Sequence, residues 1–185
     1  MTQRAPWAEN SNLWRGTLAL LGVIAALVAW RTGPRSGPEL ALVPNPPGLF
    51  EEGGGCPRPH SLHDLARKLE RRGRLRADRY PYDPHDGILA VRDYRQARDC
   101  YGSAGAPNDA ARAEASAVML QARVETDYAA ARMNLSRAIQ SQRWAAALAE
   151  ARRLRRLTDH LGEHDYVEWL ESIMGRATAR RTMAP

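Results

Sequence analysis

"NDAARAEASAVMLQARVETDYAAARMNLSRAIQSQRWAAALAEARRLRRLTDHL", residues 108–161, contains neither Gly nor Pro. Apolar side chains recur along it by threes and fours, at Ala113, Ala117, Leu120, Val124, Tyr128, Ala131, Leu135 and Ala138. That spacing puts them on one face of a helix with 3.6 residues per turn and predicts one long amphipathic helix. The polar run QSQR at 140–143 is the expected hinge, after which Trp144, Ala147 or Leu148, Ala151, Leu154 and Leu161 restart the stripe as far as Gly162.

The flanking segments carry the same period. Upstream, Ser61 is a helix cap followed by Asp64, with Leu62, Leu65 and Leu69 on one stripe before Gly73, where the helix is expected to stop. RYPYDPHD at 79–86 breaks the pattern, and Ala90, Tyr94, Ala97 and Tyr101 resume it up to GSAGAP. Downstream, Val167, Leu170, Met174 and Ala177 mark a last helix. No stretch alternates with the period of a strand, so the fold class is all-α. The many Ala residues on these stripes let helices approach closely, which suits antiparallel hairpins with Tyr94 and Trp144 as core residues.

DYRQARDCY at 93–101 spaces Tyr94, Ala97, Tyr101 and then Ala104 in a way that resembles the second helix of a tetratricopeptide repeat, and RWAAALAEARRL at 143–154 repeats the opening. The two segments lie about fifty residues apart instead of one repeat of about 34, and neither follows the usual Trp, Leu, Gly, Tyr set. The resemblance covers at most residues 86–161. It implies stacked helical hairpins with a concave surface for a protein or peptide.

Ahead of the helical region, residues 16–30 form a run without charge, bracketed by Trp14-Arg15 and Trp30-Arg31. As a helix the run rises about 22 Å against a hydrocarbon core of roughly 30 Å. Tryptophans at headgroup level and outward-reaching arginines extend it. No pair of small residues marks a clean cleavage site after it, so a retained transmembrane anchor over 14–31 is expected in preference to a cleaved signal. Residues 1–13 are then an amino-terminal tail. Residues 32–60, rich in Pro and Gly, are a stalk without a core, 61–178 the helical domain, and 179–185 a disordered tail.

The charge balance of +6 is carried by 26 Arg and a single Lys68, a bias that fits a GC-rich bacterial genome. Arg alternates with Asp and Glu over most of the chain, and the aromatic signature of RNA-binding modules is missing, which argues against nucleic acid as partner. RRLRRL at 152–157 gathers Arg152, Arg153, Arg155 and Arg156 near Arg143, either as a solvated helix end or as a contact for an acidic partner.

HLGEH at 160–164 has the H-x-x-E-H spacing of inverted zinc peptidases, but Gly162 interrupts the helix that the motif requires and reads as a helix terminator. Cys56, His60 and His63 have ligand chemistry on a Pro-rich entry that is a poor rigid cage. No cofactor, metal or catalytic residue is expected. Cys56 and Cys100 pair in an oxidising compartment, closing a loop of about 45 residues for about 4 kcal/mol on the chain-entropy model. Cys100, one residue off the core stripe, is expected at the domain edge.

Arg4 and Arg15 precede the apolar run and Arg31 and Arg35 follow it, so the positive-inside count ties. The short amino-terminal tail and the downstream cysteines favour a carboxy-terminal domain in the periplasm. The leading reading is a single-pass protein of a bacterial inner membrane, without enzymatic activity, whose helical domain scaffolds protein partners. The alternatives are a cytoplasm-facing basic domain for nucleic acid or anionic lipid, and a small zinc-dependent hydrolase.

Overall fold

The computed structural model describes residues 44–50, 55–57 and 61–182. The chain divides into two units, Met1–Leu42 and Val43–Pro185, and every described residue belongs to the second. The apolar run and its flanking Trp14, Arg15, Trp30 and Arg31 lie outside the described residues. Among those described, no helix is long and apolar enough to cross a membrane.

The described fold is all helical: α1 Leu62–Arg79, α2 Pro84–Ser103, α3 Pro107–Gln140, α4 Trp144–Leu157, a single 3-10 turn Asp159–Leu161, and α5 Asp165–Thr182. Each helix packs against its predecessor across a short connection, and α4 also touches α2. The result is a run of helical hairpins sharing the long α3.

Local chemistry sets the helix ends. Ser61 Oγ accepts the Asp64 N–H at the start of α1, and Asp83 does the same for His85 ahead of Pro84 at the start of α2. α2 ends where Gly105 turns left-handed at φ +73°, letting the Ala106 N–H reach back to the Tyr101 carbonyl at 2.9 Å.

Three expectations about helix bounds are corrected. α1 does not stop at Gly73 but continues to Arg79. A Cβ at that position would lie 3.2 Å from the Tyr94 ring, so Gly73 is where α1 and α2 come closest rather than a terminator. The segment 108–161 is not one helix with a hinge. At QSQR the chain reverses, with Gln142 at φ +56° and the Arg143 N–H bonded to the Ala138 carbonyl at 2.9 Å. This is the cap geometry that Gly105 makes, built on a glutamine. α5 runs to Thr182, into the stretch expected to be a disordered tail.

The apolar interior falls into two clusters. The larger joins Val124, Tyr128 and Leu135 of α3 to Leu154 and Leu157 of α4 and Tyr166, Leu170 and Ile173 of α5. The smaller joins Ala66 and Leu69 of α1, Ala97, Cys100 and Tyr101 of α2, and Ala113 of α3. Tyr94 is buried as expected, but Trp144 is only half-buried, at the start of α4 with the Arg180 guanidinium 5.9 Å from its ring centre.

The supposed coreless stalk also contributes to the interior. Leu49 is buried in the larger cluster and Phe50 packs beside it, under the Arg95 guanidinium at 5.7 Å. Residues 44–57 therefore include a strap fixed to the helical body.

Candidate functional site

Seven arginines and one lysine crowd α1 and the start of α3, and the helical period sorts most of them into two sets. Arg72, Arg76 and Arg79 face α2. Arg72 forks onto Asp93, its Nη2 donating to Oδ1 at 2.6 Å and its Nε to Oδ2 at 2.9 Å, while Arg76 also donates to Asp93. Arg79 grips Asp86, Nε to Oδ2 at 2.8 Å. These pairs staple two helices whose shared apolar surface is small.

The second set faces outward. His63, Arg67, Arg71 and Arg74 recur by threes and fours, so they share one side of α1. With Glu70 they border a groove of about 300 Å³, completed by Tyr101 of α2 and by Asp109 and Arg112 of α3. Its floor is an ion-pair network. Arg112 donates Nε to Glu70 Oε1 at 3.0 Å and Nη2 to Oε2 at 3.1 Å, with its third arm on Asp109. The Tyr101 hydroxyl donates to Glu70 Oε2 at 2.8 Å. His63 meets the Tyr101 ring edge-on at 5.4 Å and lies 3.7 Å from Asp109.

The electrostatics follow from these partners. Hydrogen bonds from Arg112 hold Glu70 below the ordinary carboxylate range against the opposing effect of burial, and hold Asp109 below it as well. Burial, reinforced by the bond to Glu70, pushes the Tyr101 hydroxyl up to about 12. Both carboxylates raise Arg112 above its usual value. Glu70 and Asp109 are thus spent on Arg112. On the rim, Arg67, Arg71 and Arg74 are exposed and have no carboxylate within 4 Å among the described residues.

One wall of the groove is tied covalently. Cys56 and Cys100 form a disulfide with Cα atoms 4.9 Å apart, attaching the strap to α2 one residue before Tyr101. Cys100 is fully buried between α1 and α3 rather than at the domain edge. The α1 face packs directly over it through Ala66 and Leu69, which leaves no edge for Cys100 to occupy.

The arginines that the sequence singles out are largely engaged within the chain. Arg153 lies 3.5 Å from Asp127, Arg155 bridges Asp159 and Glu171, and Arg156 approaches Asp83 at 3.4 Å. Arg143 Nε donates to Ser141 Oγ at 3.0 Å, beside the chain reversal and away from the others. Among the described residues, Arg152 alone of the group makes neither an ion pair nor a side-chain hydrogen bond, and with Arg155 and Arg156 it borders a second, open groove of about 410 Å³.

His160 lies in the 3-10 turn, whereas His164 caps α5, its Nδ1 accepting the Tyr166 N–H at 3.0 Å. Gly162, at φ +60°, separates them, so the two rings share no helix face. Among the described residues no group of three or more His, Cys, Asp and Glu side chains is placed to hold a metal ion. His60 lies outside the described residues.

The α1 groove was hidden in the sequence because arginine is everywhere in it. A usable signal was Glu70, a carboxylate at the edge of the Ala66, Leu69 and Gly73 stripe, where a buried charge needs a partner. No family model, curated protein or solved structure matches this chain.

Proposed function

We propose that this protein is a helical adaptor of the bacterial envelope, anchored by residues 14–31 and presenting its domain to a partner protein. The observation that carries this reading is the outer face of α3. Ala111, Ala115, Val118, Met119, Ala122, Ala129 and Met133 lie opposite the buried stripe and are all exposed. Val118, Met119 and Met133 are 55 %, 71 % and 56 % exposed.

In a chain with 26 Arg, no charged residue falls on that arc between Asn108 and Met133, a length of about 37 Å at 1.5 Å per residue. Uncharged faces of this extent, with alanines that admit close approach, suit an apolar-faced helix of another protein. The disulfide supports an oxidising compartment, and with the anchor it favours the periplasm.

A photo-crosslinking residue placed at Met119 in cells tests the reading. A discrete adduct with a second protein, abolished by Ala122→Arg without loss of thermal stability, is expected. No adduct at Met119, or one equally strong from the exposed position 152 on α4, would overturn it.

A further inference from the structure

We propose that the groove between α1, Tyr101 and the start of α3 is a binding site for a phosphate-bearing dianion. Four arginines in its lining face two carboxylates, leaving an excess of two positive charges. The carboxylates offset the rim only in part, because both oxygens of Glu70 already accept from Arg112 and Tyr101, Asp109 accepts from Arg112, and of the rim arginines Arg74 acts on Glu70 through its charge alone. Like charges three and four residues apart, such as Arg67, Arg71 and Arg74, repel one another and weaken a helix. A bound dianion relieves that repulsion.

Ligand chemistry and size agree. Guanidinium forks match the oxygens of a phosphate with paired hydrogen bonds. A volume of about 300 Å³ is at the small end for molecular ligands and does not admit a helix or a nucleic-acid duplex. The floor is preorganised, since the Arg112 guanidinium lies 5.9 Å from the Tyr101 ring centre and is fixed by both carboxylates. The rim arginines can close over the phosphate without breaking an internal pair. The site is separate from the uncharged face of α3, so either assignment can fail without the other.

The test uses the full chain in a non-ionic detergent, titrated calorimetrically with glycerol phosphate, a dianionic monoester, and with glycerophosphoglycerol, a monoanionic diester with the chemistry of a lipid headgroup. Saturable one-to-one binding is expected. Arg67→Ala and Arg71→Ala should each weaken it by roughly tenfold, and Arg152→Ala on α4 should leave it unchanged. A preference for the monoester supports the dianion site, and equal binding of the monoanionic diester overturns it. Absence of saturable binding, or equal losses in Arg71→Ala and Arg152→Ala, overturns the proposal. Because both rim side chains are exposed and removing either relieves like-charge repulsion, unliganded thermal unfolding of their variants should fall at or slightly above that of the parent.

Discussion

The two ends of the helical domain are built from different materials. At the α4–α5 end, Leu154, Leu157, Leu170 and Tyr166 are essentially inaccessible to solvent, and apolar burial holds the helices. At the α1–α2 end the buried apolar side chains are mostly small, and the joints are carboxylates clasped by arginine plus one disulfide. Burial is strong and insensitive to salt, whereas ion pairs and a sulfur bridge answer to acidity, ionic strength and reductant. One end is a stable platform, and the other carries the groove and can be tuned by its surroundings.

The largest expected effect is at the apolar end. Leu154→Ala removes a completely buried side chain and should destabilise the domain by about 2–5 kcal/mol, measured by urea unfolding. A loss below about 1 kcal/mol would remove the basis of the contrast. Next comes Cys56→Ser, expected to cost about 2–4 kcal/mol and to speed hydrogen exchange in α1 more than in α5. Uniform acceleration would mean that the two ends open together.

Acid should separate them further. Glu70 and Asp86 are held below their ordinary values by Arg112 and Arg79 respectively, so their stabilisation is complete above the unfolded-state values near 4.5 and 3.8 and is lost as pH falls through the lower folded values. Between pH 5 and pH 2, exchange in α1 should rise before exchange in α5. The smallest effect lies at the α3–α4 reversal. Gln142→Gly removes the cost of a side chain at φ +56° but adds unfolded-chain freedom, for a net gain of about 0.5–1 kcal/mol in thermal unfolding.

What could be read without the fold followed from periodicity. The stripe from Ala113 to Ala138 is buried except at Leu120, which is half-buried, because a helix against a core has one way to hide such spacing. Reversal at Gln142 was not legible, since left-handed caps normally advertise themselves with Gly or Asn. Gly73 misled in the opposite sense, through close packing that local sequence does not report. RRLRRL drew attention as a charge run, yet its partners Asp83, Asp127 and Glu171 come from distant positions. The rim of the α1 groove, with ordinary arginines, became visible only once the other arginines had found carboxylates.

The strap also sets how the domain bears a pull. Tension arriving along residues 44–57 would first peel Leu49 and Phe50 from the body and then pass through the sulfur bridge to Cys100 on α2, bypassing α1. The loop closed by the bridge, a sequence separation of 44, would stay out of the extended tether, withholding roughly 150 Å of contour at about 3.4 Å per residue. With the bridge intact the tether has a fixed stop, and cutting the bridge by reduction lets the same pull unwind α1 and lengthen the leash.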